Sequence, residues 1–155
     1  MEDINRRNTY LSFKLHNEFY AIDVKNVIEV LEQQTITEVP DAPSFINGVI
    51  NFRGDVVPVI NLARKLHLTN NEIEKYVIII LEIEKEQNKI RIGMMCDKVK
   101  DVIQYSFNEI KEMPELGNQI SSEYVQGMVN DKDKIVTLLD MGSIVQSNKI
   151  IETVK

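Results

Sequence analysis

Phe45-Ile46-Asn47-Gly48-Val49-Ile50-Asn51-Phe52-Arg53-Gly54-Asp55-Val56-Val57-Pro58-Val59-Ile60-Asn61-Leu62 sets the architecture of this 155-residue chain. Two apolar, β-branched runs, Gly48 to Phe52 and Val56 to Ile60, flank a polar turn at Arg53, Gly54 and Asp55. Such runs about such a turn read as a β-hairpin, with Gly54 free to take the positive φ that a tight loop needs. Pro58 has no N–H to give a ladder, so the second strand is expected to offer it a solvent-facing edge or a bulge.

The pattern returns in the second half of the chain. Phe45 to Asn51 aligns with Tyr124-Val125-Gln126-Gly127-Met128-Val129-Asn130. Upstream, Val24-Lys25-Asn26-Val27-Ile28-Glu29 aligns with Val99-Lys100-Asp101-Val102-Ile103-Gln104, identical at four of six positions, and Glu38-Val39-Pro40 aligns with Glu112-Met113-Pro114. Three matches in the same order point to an internal duplication. Each unit holds about five short strands, too few to bury a core alone. The expected fold is therefore mostly β: two five-stranded barrels packed against each other, with short helices. The subdomains are expected at roughly 9–68 and 76–145 of one domain spanning 1–155, with a helical tail at 147–155.

The remaining elements follow from periodicity. Thr9 to Leu15 alternates polar and apolar residues as a half-buried strand, returns through His16-Asn17-Glu18, and continues as Phe19 to Ile22. Asp23 is placed to cap a short helix over Val24 to Val30, with apolar residues at 24, 27, 28 and 31, a spacing that Val99 to Ile103 repeats. Thr35 to Val39 is extended, Leu62 to Leu66 a helical turn, and Thr69-Asn70-Asn71 a linker. Tyr76 to Ile83 and Ile90 to Cys96 read as paired strands about a charged turn at Glu84 to Asn88; the first is buried on both faces in its near half. An extended stretch then runs to Met113-Pro114, a loop passes through Gly117, and Tyr124 to Leu139 forms the second hairpin.

Composition excludes several classes of function. Acidic residues outnumber basic ones by 24 to 18, and no basic stripe is visible, which argues against nucleic acid and anionic membrane as partners. The longest aliphatic run, Val77 to Leu81, is far short of the ~20 residues a membrane span needs. The first residues have no apolar core of a secretory signal, and the lone Cys96 cannot form an internal disulfide, so a cytoplasmic protein is expected.

Catalytic chemistry finds no footing. Cys96 sits in an apolar strand beside Met94 and Met95, and neither His16 nor His67 has a spacing that ties it to that thiol. One cysteine and two isolated histidines make no zinc pattern, so no metal or cofactor is expected. The carboxylates lie in surface-type runs such as Glu82-Ile83-Glu84-Lys85-Glu86. What remains is a surface for other proteins. Val24, Val27 and Ile28 with their repeat partners Val99, Val102 and Ile103 are candidates for an apolar groove between the barrels, sized for an amphipathic helix. Arg53, a charge in a region devoted to burial, has Glu29 as its candidate partner. An exposed pair would contribute ~0–1 kcal/mol; breaking a buried one would cost roughly 3–5 kcal/mol.

Phe45 to Gly54, with Gly48, Asn51 and Arg53, followed by Val56-Val57-Pro58-Val59-Ile60-Asn61-Leu62, closely resembles the hallmark of the CheW family of bacterial chemotaxis coupling proteins. The resemblance covers nearly the whole chain, including Tyr124 to Gly127, and departs from the family at Phe52, often leucine, and Asn61, commonly aspartate. It implies two SH3-like barrels and an adaptor without catalysis. The implied partners are the regulatory domain of the histidine kinase CheA, contacted through barrel ends, and the cytoplasmic tip of chemoreceptors, a helical hairpin docked between the barrels. It further implies that Glu29 and Arg53 form a charged pair supporting fold and coupling, and that the protein is a monomer when isolated, recruited to receptor arrays. The CheA regulatory domain and CheV-type adaptors share the fold; a chain with its own methionine that ends at Lys155 without a receiver domain speaks against both. From other classes, a small hydrolase or a nucleic-acid-binding barrel is the alternative.

Overall fold

The computed structural model describes residues 6–68, 74–114 and 122–145. The linker at 69–71, the loop through Gly117 and the tail at 147–155 lie outside the described residues. The first hairpin joins β1 (Arg7–Leu15) to β2 (Glu18–Asp23), and a 3-10 turn, Val24–Asn26, leads into β3 (Val27–Glu32). The hallmark hairpin is β4 (Ile46–Phe52) and β5 (Asp55–Asn61), followed by the short helix α1 (Leu62–Lys65). The second half runs β6 (Val77–Lys85), β7 (Asn88–Cys96), β8 (Lys98–Ser106), β9 (Val125–Asp131), β10 (Lys134–Leu139) and α2 (Met141–Val145).

These strands form two five-stranded sheets, ordered β8-β1-β2-β10-β9 and β3-β6-β7-β5-β4. The orders are equivalent once β1–β5 are matched to β6–β10, so the duplication read from the sequence is present in three dimensions, as two SH3-like subdomains. The division expected at 9–68 and 76–145 follows the repeat but cuts both sheets. The hairpin β1–β2 pairs with β8 and β10 of the second half, and β6–β7 pairs with β3 and β5 of the first. Sequence similarity reveals which segments are equivalent; it is silent on which of two equivalent partners a hairpin joins.

The four hairpins of the described residues each close on two residues at positive φ: His16–Asn17, Arg53–Gly54, Glu86–Gln87 and Lys132–Asp133. Two left-handed residues match the right-handed twist of the flanking strands. The three-residue turn expected at Arg53 to Asp55 is thus two residues long, and Asp55 pairs with Phe52 in the ladder. Likewise Glu84, Lys85 and Asn88 belong to strands, not to the turn.

The helix expected over Val24 to Val30 is instead a single 3-10 turn, capped by the Asp23 carboxylate accepting from the Lys25 amide at 3.0 Å, and then strand β3. The register between β3 and β6 shifts between Val27 and Glu29. A bulge inserts one residue into a period of two, which makes apolar positions fall at 24, 27, 28 and 31 and imitates a helical stripe. Val99 to Ile103 is strand as well and carries an extra residue of its own, since Leu11 pairs with Val102 and Phe13 with Val99, three steps of β8 against two of β1.

Pro58 lies in β5, an interior strand, opposite Val49. Val49 spends both its backbone groups on Thr37, donating at 2.8 Å and accepting at 2.9 Å on the side away from β5. The Val49–Pro58 pair is therefore a non-hydrogen-bonded one, and the missing N–H of Pro58 faces β7, whose pairing with β5 begins only at Val59↔Gly93. The ladder stops where proline cannot donate.

The Thr37–Val49 bridge recurs as Lys111–Met128, with backbone bonds of 2.8 and 2.7 Å. Beside each bridge stands a glycine. A Cβ on Gly48, at φ +147°, would meet the Thr37 carbonyl and come 2.8 Å from Ile36 Cγ2; one on Gly127 would come 2.5 Å from Ile110 Cγ2. Asn61 and Asp140 are equivalent too, each capping the helix that follows through the amide three residues on, both at 3.2 Å. Apolar side chains fill three spaces. Ile50, Phe52, Val57, Val59, Ile78, Ile80 and Met95 fill one barrel, and Tyr10, Ala21, Tyr105, Val129, Val136 and Leu138 the other. Phe13, Leu15, Ile79, Leu81, Ile92, Leu62 and Ile144 belong to the core shared between the sheets. Ile78 to Leu81 are fully buried in succession, the two-faced burial expected of β6.

Candidate functional site

The chain passes between its two sheets at Asp23–Val27, from β2 to β3, and at Asp97–Val99, from β7 to β8. These crossovers are equivalent in the repeat. The second is fastened to the first hairpin, since the Asp97 amide donates to the Lys14 carbonyl at 3.0 Å and the Asp97 carboxylate accepts from the His16 amide at 3.1 Å.

The six apolar candidates sort themselves around these crossovers. Val24 and Val99, one at each, are half-buried. Val27, opposite Leu81, and Val99, opposite Phe13, pack against the shared core. Val102, opposite Leu11, is 64% exposed. Ile28 and Ile103 pack instead into the cores of the two separate barrels. Five of the six are thus half-buried and Val102 is exposed; Val27 and Val99 lie on the shared core, Ile28 and Ile103 on the separate ones.

Glu29 and Arg53 do meet. Arg53 Nη2 donates to Glu29 Oε1 at 2.5 Å, joining β3 to the tip of the hallmark hairpin at the two ends of their sheet. Their side chains are 62% and 39% exposed, so the exposed alternative holds. Arg53→Ala is accordingly expected to lower stability by only ~0–1 kcal/mol, read as a small shift of the urea midpoint. A loss of several kcal/mol would mean that the pair works as a buried one. Of the other hallmark residues, Asn51 Oδ1 accepts from the Gly54 amide at 3.0 Å and braces the turn, while Gly48 and Pro58 are the backbone devices described above.

A second ion-pair group, missed from sequence, adjoins the first. Arg91 of β7 reaches Asp55 at 3.1 Å and Glu82 at 3.7 Å. The guanidinium carbons of Arg53 and Arg91 lie 4.8 and 5.9 Å from the centroid of the Phe52 ring. The signal was present: a two-residue loop at Glu86–Gln87 pairs Glu82 with Arg91 directly. A five-residue turn hides that pair, because a one-residue slip moves a side chain to the opposite face. Also missed were Val56 and Ile135, equivalent residues just after the two hallmark-type turns, 73% and 49% exposed.

Cys96 is fully buried, and desolvation, with the Asp97 charge adding to it, pushes its thiol up to about 12. A thiol so held is no nucleophile at neutral pH. Among the described residues no cluster of His, Cys, Asp and Glu is arranged to hold a metal ion, and no helix is long and apolar enough to cross a membrane.

A family model described as a CheW-like domain matches residues 9–149. The chemotaxis protein CheW of Thermotoga maritima is 30% identical over 144 residues, 93% of this chain and 91% of its own length. That of Treponema pallidum is 28% identical over 90% of this chain and 83% of its own. The crystal structure of the scaffolding protein TtCheW from Thermoanaerobacter tengcongensis matches with a TM-score of 0.80 at 30% identity, covering 93% of this chain and 91% of that one.

Proposed function

This chain belongs to the CheW-like family, and we infer from that premise that it is a chemotaxis scaffold coupling the histidine kinase CheA to the cytoplasmic tips of chemoreceptors. The observation that carries this is the agreement of the family match over residues 9–149 with the two exchanged five-stranded sheets. The chain acts by contact and not by catalysis: it works in the cytoplasm, as a monomer until recruited to receptor arrays, and takes no cofactor. The receptor tip docks at the junction of the sheets, on Val24, Val27, Val99 and Val102. The kinase regulatory domain docks on the barrel ends, where the exposed Val56 and Ile135 supply equivalent apolar contacts beside the hairpin turns. The Glu29–Arg53 pair takes part in coupling.

The first test is co-purification with the regulatory domain of a CheA from the same organism at micromolar concentration, where binding of about −8 kcal/mol is visible. Failure to bind, from a folded sample, would overturn the reading. Val27→Glu places a charge on a half-buried apolar position and is expected to abolish pull-down by a soluble receptor-tip fragment while leaving kinase binding intact. Retained tip binding in a folded Val27→Glu protein would remove the crossover valines from the receptor site.

A further inference from the structure

Phe52 and Asp55 are the closing pair of the hallmark hairpin, and Arg53 stands between them in the chain. Arg91 grips both members: its guanidinium bonds the Asp55 carboxylate at 3.1 Å and lies 5.9 Å from the Phe52 ring centroid. Glu82, its cross-strand neighbour, holds the same guanidinium from the other side at 3.7 Å. The grip falls where the backbone provides none. The β5–β7 pairing consists of Val59↔Gly93, Ile60↔Met94 and Asn61↔Met95. Carried back, that register would set Val57 beside Arg91, but Pro58 ends the ladder first. Toward β7, the tip of the hairpin is therefore tied to the sheet by a side chain in place of main-chain bonds.

We propose that Arg91 is a positioning residue: by clamping the Phe52–Asp55 pair it fixes the hairpin tip so that Arg53 is presented to Glu29 across the end of the sheet. The other barrel holds its hairpin tip differently, with no ion pair among the described residues at the equivalent place. There the residues in the places of Glu82, Arg91, Phe52 and Asp55 are Lys14, Phe19, Asp131 and Lys134: the parallel ladder reaches Val136↔Phe19, two residues nearer the turn, and Lys134 Nζ lies 4.4 Å from the Phe19 ring centroid. The clamp therefore marks one end of the molecule and distinguishes its two otherwise equivalent hairpins. The coupling consequence rests on the reading that the Glu29–Arg53 pair takes part in receptor coupling.

The test is Arg91→Met, which keeps the stem and removes the charge, with Asp55→Ala as a second route to the same loss. Two readouts apply: the side-chain Nε–H resonance of Arg53 by NMR, and binding of a soluble receptor-tip fragment compared with Arg53→Ala. Either variant should move the Arg53 resonance toward that of a free guanidinium and weaken tip binding about as much as Arg53→Ala does, several-fold or more. Adding Arg91→Met to Arg53→Ala should cost nothing further, because both act through one contact. Arg91→Lys, which keeps a charge for Asp55, should restore part of the binding. An unmoved Arg53 resonance in both variants overturns the positioning role, as does normal tip binding by them where Arg53→Ala is impaired. A moved resonance with normal tip binding by Arg53→Ala itself supports the clamp and overturns instead the reading that the pair serves coupling.

Discussion

Neither half of the chain, 1–72 or 73–155, should fold alone, and an equimolar mixture of the two should recover the native β signal. Each half carries the hairpin of one sheet and three strands of the other, so either one alone leaves β1–β2 or β6–β7 without the strands they pair with. It would also bare the shared core, to which both halves contribute, Phe13 and Leu62 from one and Ile92 and Ile144 from the other. Losing that burial removes far more than the ~5–15 kcal/mol by which a domain is stable. Far-UV circular dichroism with gel filtration of the separate and mixed halves reads the result. A cooperative unfolding transition from one half alone would show that the exchange of hairpins is not what holds the sheets together.

Gly48→Val is expected to be among the most destabilising single substitutions in the protein. Its φ of +147° strains any L side chain by about 1–3 kcal/mol. The new Cβ would also press on the Thr37 carbonyl, whose bonds to Val49 cover that side of β4. Gly54→Ala is the control, at φ +87° with nothing within 4 Å, and carries the strain without the clash. The urea midpoint should therefore fall further for Gly48→Val than for Gly54→Ala, and Gly127→Val should behave like the former, since Ile110 and Lys111 crowd it. Equal midpoints for the two classes would mean that the bridges yield to a side chain at no cost.

The strands were legible in the sequence wherever alternation was undisturbed, as in β1, and the repeat gave the equivalence of Phe45 to Asn51 with Tyr124 to Asn130. Two kinds of physics hid the rest. Bulges broke the period of two in the Val24 to Leu31 segment and made a strand look helical. The exchange of hairpins is a choice between partners that are nearly alike, and no local residue pattern records it. At the site, the Glu29–Arg53 contact was readable because each residue is a charge in an apolar setting. Ile28 and Ile103 were not separable from the valines beside them, because a bulge sends neighbouring residues into different cores. Arg91 was hidden by a turn assigned too long, although its register with Glu82 follows at once from a two-residue loop.

The order of the strands has a consequence for synthesis on the ribosome. β3 to β7 are contiguous, spanning 27–96, so one whole sheet can assemble once Cys96 has left the exit tunnel. The first hairpin to emerge, β1–β2, must wait until β8 and β10 follow it, the last of them ending at Leu139. In that interval its two unpaired edges and the apolar faces of Phe13, Leu15 and Ile22 stand open to other nascent chains. The N-terminal end of this protein is thus made early and completed late, and it is there that a holding chaperone would find its binding sequence.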